Sequence, residues 1–241
     1  MTWVMFDYGG VVSQPPSPEE VASLAGAAGV TVPALMGAYW EWRRAYDLAE
    51  LDASGYWRQV GRSLGRGYSE AEISELIRLD RMSWLRLQAG TVALIEDLAA
   101  AGWPLALLSN APGELAEAIS GLPVAAYFGH LLFSCQLKHA KPDPECYNRA
   151  LARLGASAED VIFVDDRAEN AAAAATLGLR SVHFTSPDEA RAAVAVRLAD
   201  RGSAAPEVAA GPSTRAGSAP ERSVMGPPPR ILMLLSVVAT A

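Results

Sequence analysis

The sequence predicts an α/β fold: a parallel sheet covered on both faces, with an all-helical segment inserted after the first strand. Three observations predict it. Short apolar runs recur along the chain, and amphipathic helical patterns separate the later ones. Residues 15 to about 90 have a helical period and no convincing strand. The chain has 241 residues, 51% of them hydrophobic, enough for one good-sized core with a subdomain.

The elements follow in order. TWVMF is the first strand, and VMFDYGG carries it into an aspartate and two glycines. SPEEVASLAGAAG, VPALMGAYWEWRRAYDLA, SGYWRQVGRSLG and SEAEISELIRLDRMSWLRL are all helical in period. Their tryptophans and tyrosines are expected to form, for the most part, the insertion's own core. PLALLS at 104–109 is the next strand, and the helical GELAEAI follows it. GHLLFSC at 129–135 is a candidate for a further short strand, and ECYNRALARLG is a helix. VIFV at 161–164 and SVHF at 181–184 are strands; between them ENAAAAATLG is a helix with Gly178 as its C-cap.

From about 201 the composition turns to Ala, Gly, Pro and Ser without apolar period, which predicts a disordered tail. The final ILMLLSVVATA covers only about half of a bilayer, so no membrane span is expected. The expected division is therefore a core of 1–14 and 91–200, a cap of 15–90 and a tail of 201–241.

A net charge of -7 argues against non-specific binding of a polyanion, so no nucleic-acid partner is expected. A small anionic substrate is still compatible, because a local cation overrides the global field. Cys135 and Cys146 show no CxxC spacing and read as ordinary thiols of a reducing compartment. The N-terminus enters a strand with no basic n-region, which points to a cytoplasmic enzyme. The sequence leaves the oligomeric state open.

In open parallel sheets, ligands bind at the carboxyl ends of the strands. Asp7, Ser109, Asp165 and Asp166 all fall at such ends. A single polar residue there could simply cap the next turn. Three carboxylates gathered in one cleft would repel one another unless a hard cation held them, and Mg²⁺ suits carboxylates plus phosphate oxygens. Ser109-Asn110 precedes Pro112, a good first helical residue; a hydroxyl and backbone N–H groups at a helix start suit a phosphate as well as a cap. Lys141, in AKPDPECY before a Pro-started helix, is a candidate counter-charge.

Taken together, FDYGGV, LLSN, KPDPECY and FVDDRAEN, in this order, resemble the four motifs of the haloacid dehalogenase-like (HAD) hydrolase superfamily. The resemblance covers about 1–195, and the helical insertion sits where that superfamily carries a cap on its Rossmann-like core. The look is nearest to the branch of glucose-1-phosphate phosphatases and the phosphatase domain of soluble epoxide hydrolases. The resemblance implies that Asp7 is a nucleophile forming an aspartyl-phosphate. It makes Ser109 and Asn110 hold the phosphoryl group, with Lys141 neutralising charge. It assigns Mg²⁺ to Asp7, the Gly9 carbonyl, Asp165 and Asp166, and it matches Asn170 to the polar residue that closes the fourth motif.

Two positions depart from the pattern. Gly9 stands where most phosphatases of the superfamily have an aspartate acting as general acid, help worth about two to four orders of magnitude in rate. Lys138 stands where relatives usually have a glycine. The first reading is a Mg²⁺-dependent phosphatase of a small phosphorylated metabolite. The alternatives are a 2-haloacid dehalogenase and a catalytically weak binding or regulatory protein on the same fold. The paired Asp165-Asp166 favours the phosphatase. In the cap, Arg43, Arg44, Tyr46 and Asp47 form the most polar cluster, with Arg43 and Tyr46 the candidate substrate-binding residues.

Overall fold

The computed structural model describes residues 1–200. The tail expected to be disordered, with its apolar end, lies outside the described residues.

Five parallel strands form one sheet: β1 (Trp3–Phe6), β2 (Leu105–Ser109), β3 (His130–Phe133), β4 (Val161–Asp165) and β5 (Arg180–His183). Their order is β3-β2-β1-β4-β5. The segment at 129–135 thus contributes an edge strand. The helices are α1 (Pro18–Ala28), α2 (Val32–Asp47), α3 (Ala53–Ser63), α4 (Glu70–Ser83), α5 (Ala89–Ala100), α6 (Gly113–Ser120), α7 (Ser134–Leu137), α8 (Pro144–Leu154), α9 (Ala168–Thr176) and α10 (Pro187–Ala199). Among the described residues, no single helix is long and apolar enough to cross a membrane.

The strands are apolar on both sides because both faces are covered. Val4 and Phe6 of β1 join one apolar cluster with Leu94, Ile95 and Leu98 of α5. Met5 joins the opposite cluster with Cys146 and Tyr147 of α8. Burying each such side chain stabilises the fold by about 1.5–3 kcal/mol. Both cysteines are free and buried.

Helices α1 to α4 build a separate cluster around Leu35, Tyr56, Trp57, Ile73 and Leu76. Ser17–Glu20 and Ser69–Glu72 close capping boxes at the starts of α1 and α4. Helix α6 begins at Gly113, with Pro112 as its N-cap rather than its first turn. The α9 helix ends at Thr176, and Gly178 follows with φ 91°, as a C-terminal glycine should.

The cap is fastened to the core by a few polar contacts. Ser134 Oγ donates to the Asp47 carbonyl at 2.6 Å, and Tyr8 Oη donates to the Trp84 carbonyl at 2.9 Å. Lys138 Nζ reaches the Leu48 carbonyl at 3.3 Å. Lys138 itself has φ 59°, the left-handed region that favours glycine, so this lysine adopts the backbone a glycine would supply.

Candidate active site

The sheet order reverses direction beside β1, and this places the ends of β1 and β4 side by side. Phe6 pairs with Val164, so the next residues, Asp7 and Asp165, leave adjacent strands together. Ser109 ends β2 on the other side of β1. Backbone register thus brings to Asp7 residues that lie 102 (109 − 7) and 158 (165 − 7) positions further along the chain.

Lys141 is the bridge between the carboxylates. Its Nζ lies 2.7 Å from Asp7 Oδ1 and 2.6 Å from Asp165 Oδ2. Asp7 Oδ1 also accepts the Tyr8 N–H at 2.6 Å. Asp165 is fully buried and its oxygens are heavily engaged. They accept from Lys141 Nζ, from the Arg167 N–H at 2.9 Å and from the Asn170 amide at 3.0 and 3.1 Å. Asn110 binds the backbone of Lys141 twice, donating to its carbonyl at 2.9 Å and accepting its N–H at 2.8 Å.

A cavity of about 410 Å³ opens above this group. Its walls include Asp7, Gly9, Ser109, Asn110, Lys141 and Asp166 from the core, and Trp40, Arg43, Asp47 and Trp84 from the cap side. Asp166 lines the cavity, whereas Asp165 is sealed off from solvent. Ligand oxygens of Asp7, Asp165 and Asp166 all lie within 4.8 Å of one another.

The electrostatics follow from that crowding. Burial pushes the Asp7 carboxyl up to about 8; Lys141 pulls against it, and Asp165 and Asp166 add to the rise. Asp166 is raised too, by burial and then by Asp165. Burial alone would lower the Lys141 ammonium, but the flanking Asp7 and Asp165 outweigh it and hold it above its ordinary value. A carboxyl raised in this way is a weaker nucleophile for as long as it holds its proton. A hard divalent cation among the three carboxylates reverses this by favouring their ionised forms, so the donor set fits such an ion.

Two glycines make room for this arrangement. Gly10 has φ 76°, and a side chain there would strike the Asp166 carboxylate. Gly9 is not among the glycines with positive φ. Its constraint is Trp84, whose Cζ3 would lie 3.3 Å from a Cβ at that position. The indole occupies the space beside Gly9 into which a longer side chain would grow.

In the cap, the polar cluster is divided. Arg43 lines the cavity but is buried and answered by carboxylates, with Asp47 at 2.8 Å and Asp80 at 3.5 Å. Arg44 is exposed. Tyr46, expected to touch substrate, does not line the cavity; it stacks on Tyr56 at 4.4 Å and donates to Glu114 at 3.1 Å. Helical geometry explains the correction, since Tyr46 shares the face of Tyr39, seven residues earlier, which packs into the cap core. The residues that reach the cavity from α2 are Trp40, Arg43 and Asp47, spaced three and four apart. Trp40 and Trp84 were absorbed into the expected aromatic core of the cap, but they wall the cavity, while Trp57 is fully buried as expected.

Comparison with known proteins places the chain in a family. The sequence model of the haloacid dehalogenase-like hydrolase family matches residues 6–178. Hexitol phosphatase A of Escherichia coli is 27% identical over 171 residues, 65% of this chain and 78% of that protein. An (S)-2-haloacid dehalogenase 4A of Burkholderia cepacia is 35% identical over 94 residues, 37% of this chain and 39% of that one. Several curated relatives, phosphatases and this dehalogenase among them, are matched over only about two fifths of their own length. A HAD family enzyme from Bacteroides thetaiotaomicron, solved in complex with magnesium and inorganic phosphate, superposes with a TM-score of 0.62. It is 16% identical, covering 77% of this chain and 94% of that one, a likeness of fold. The chain belongs to the haloacid dehalogenase-like hydrolase family.

Proposed function

We propose that this hydrolase is a Mg²⁺-dependent phosphatase that acts on a small phosphorylated metabolite through an aspartyl-phosphate on Asp7. The observation that carries the reading is the joint placement of Asp7, Lys141, Asp165 and Asp166 at the base of one cavity. A dehalogenase displaces halide at carbon and needs no cation, so a third carboxylate beside Asp7 would only hinder it. A phosphatase needs the cation those carboxylates suit.

Both contacts to Asp7 fall on Oδ1, so Oδ2 is the oxygen that attacks phosphorus. Lys141 offsets the charge on Asp7 and the transferring phosphoryl group. Ser109 and Asn110 line the cavity at the start of the loop to α6, where a phosphoryl group would be held. The Asn110 amide itself is engaged in holding Lys141. Asp7, the Gly9 carbonyl and Asp166 are the residues that would hold Mg²⁺; Asp165, expected among the ligands, has both oxygens engaged by Lys141, Arg167 and Asn170 and fixes Lys141 instead. Held there, the ion would supply charge neutralisation for the transferring phosphoryl group. Water then attacks phosphorus, releasing phosphate and restoring the Asp7 carboxylate.

Release of inorganic phosphate from a panel of small phosphate esters, with Mg²⁺ and with excess chelator, tests the reading. Turnover that depends on Mg²⁺ is expected. Full hydrolytic activity in chelator, on a haloacid and not on phosphate esters, would favour the dehalogenase.

A further inference from the structure

A second cavity of about 210 Å³ adjoins the first. The two share Pro15, Trp40 and Trp84 as walls. Beyond that junction the second cavity is mainly apolar, with Val21, Leu24 and Met36 on its lining. A cavity of about 150 Å³ already holds a benzene ring, so one aromatic ring fits. Trp84 is held in place: Tyr8 binds its carbonyl, its Nε1 lies 3.4 Å from Tyr39 Oη, and its ring covers Gly9. Trp40 is 54% exposed, a large apolar surface left open at the junction.

A second observation concerns the proton a leaving oxygen would need. The carboxyl groups lining the main cavity are Asp7, Asp47 and Asp166. Asp7 attacks, Asp166 belongs to the cation site, and Asp47 is ion-paired to Arg43. Tyr8 Oη is spent on the Trp84 carbonyl. The wall beside Gly9 is an indole, which offers no acid. The second cavity adds Asp80, which accepts from Tyr39 Oη at 2.8 Å and faces Arg43, and Glu20, which accepts the Ser17 N–H at 2.6 Å and faces Arg86. Every lining carboxyl is thus engaged elsewhere, and none is left to protonate a departing alkoxide, whereas a phenolate leaves without that help.

We infer that the substrate's leaving group is an aromatic ring, a phenol-type oxygen esterified to phosphate, which packs against Trp40 and Trp84 where the two cavities join. The inference rests on the phosphatase reading. The bond from phosphorus to Asp7 Oδ2 forms as the bond to the phenolic oxygen breaks. The phenolate takes that electron pair and is protonated by solvent after it leaves. The indoles offer flat faces for an offset-stacked or edge-on ring. A ring larger than phenyl extends into the apolar cavity.

The test measures phosphate release with Mg²⁺ from phenyl phosphate, naphthyl phosphate and two alkyl phosphates, glycerol phosphate and a hexose phosphate. The wild type should favour the aryl esters in kcat/KM by about a hundredfold or more, the scale of a missing general acid. Trp40→Ala should narrow the aryl-to-alkyl ratio by about tenfold, chiefly through KM, as loss of one stacking face does. Met36→Trp, which fills the second cavity, should penalise naphthyl phosphate relative to phenyl phosphate. Binding gives a readout without turnover: a naphthyl phosphonate should quench tryptophan fluorescence in the wild type, and inorganic phosphate should not. Equal aryl and alkyl turnover, with ratios unmoved in Trp40→Ala, would overturn the inference and leave the phosphatase reading standing. No phosphate release from any ester would remove that reading and this inference with it.

Discussion

Asn110 holds Lys141 by its backbone, donating to the carbonyl at 2.9 Å and accepting the N–H at 2.8 Å. The paired bonds join the loop after β2 to the loop before α8, and so set where the Lys141 ammonium stands between its two carboxylates. Asn110→Ala removes both bonds, each worth about 0.5–1.5 kcal/mol net. The expected result is a stability loss of about 1–3 kcal/mol by denaturant unfolding. Turnover should fall at least about tenfold, the cost of a charge displaced at the reacting centre. A variant with unchanged kcat would show that Lys141 needs no such positioning.

Lys141→Met should be more severe, because it leaves buried carboxylates without their cation. Breaking a buried ion pair by removing one partner costs about 3–5 kcal/mol. Chemical denaturation should show a loss of that size in the absence of metal, and activity should disappear. Saturating Mg²⁺ should return part of the stability and little of the activity. A Lys141→Met protein as stable as the wild type without metal would contradict the placement of this charge.

Metal removal should also be visible in the pH dependence of stability. In the metal-free protein the Asp7 carboxyl is raised to about 8, against about 4 in the unfolded chain. Between those values the folded state binds more protons than the unfolded state, so this group's contribution falls as pH rises toward 8. Mg²⁺ favours the ionised form and opposes the loss. Its stabilising thermal shift should therefore be small near pH 5 and grow toward pH 8. A shift that is the same at every pH would show that the ion does not bind at Asp7.

Gly9→Asp should be hindered by the Trp84 indole, which lies 3.3 Å from the position of a new Cβ, and not by backbone strain. The single variant should lose stability, measurably by melting temperature. Gly9→Asp with Trp84→Ala should regain some of it. If the two substitutions are additive, the indole is not the obstacle.

The sheet and the strand ends of the candidate site were legible because they depend on local pattern. Apolar runs marked β1, β2 and β4, and the rule that ligands gather at strand ends singled out Asp7, Ser109 and Asp165. The different environments of Asp165 and Asp166 were not legible, since only packing shows that Asp165 is sealed in by Lys141 and Asn170 while Asp166 lines the cavity. The cap was legible as helices but not as a surface. Periodicity gathers Tyr39, Trp40, Arg43, Tyr46 and Asp47 on one broad face of α2, with Arg43 between the tyrosines it touches and the cavity, yet it does not say which edge of that face packs in the cap core. Tyr46 therefore packs inside the cap instead of on the cavity, and the helical period that runs through SWLRL hides that the helix stops at Ser83 with Trp84 as its C-cap.

The central claim is that Asp7 carries the phosphoryl group. The most direct measurement is rapid acid quenching of the wild-type protein during turnover of phenyl phosphate with Mg²⁺, followed by digestion and mass spectrometry of the peptide containing Asp7. The expected result is one phosphoryl group on Asp7 that appears within the first turnover and is lost on chasing with buffer, and no such group in Asp7→Asn, which should be folded and inactive. A phosphoryl group on a different side chain, or near-wild-type turnover in Asp7→Asn, would contradict it.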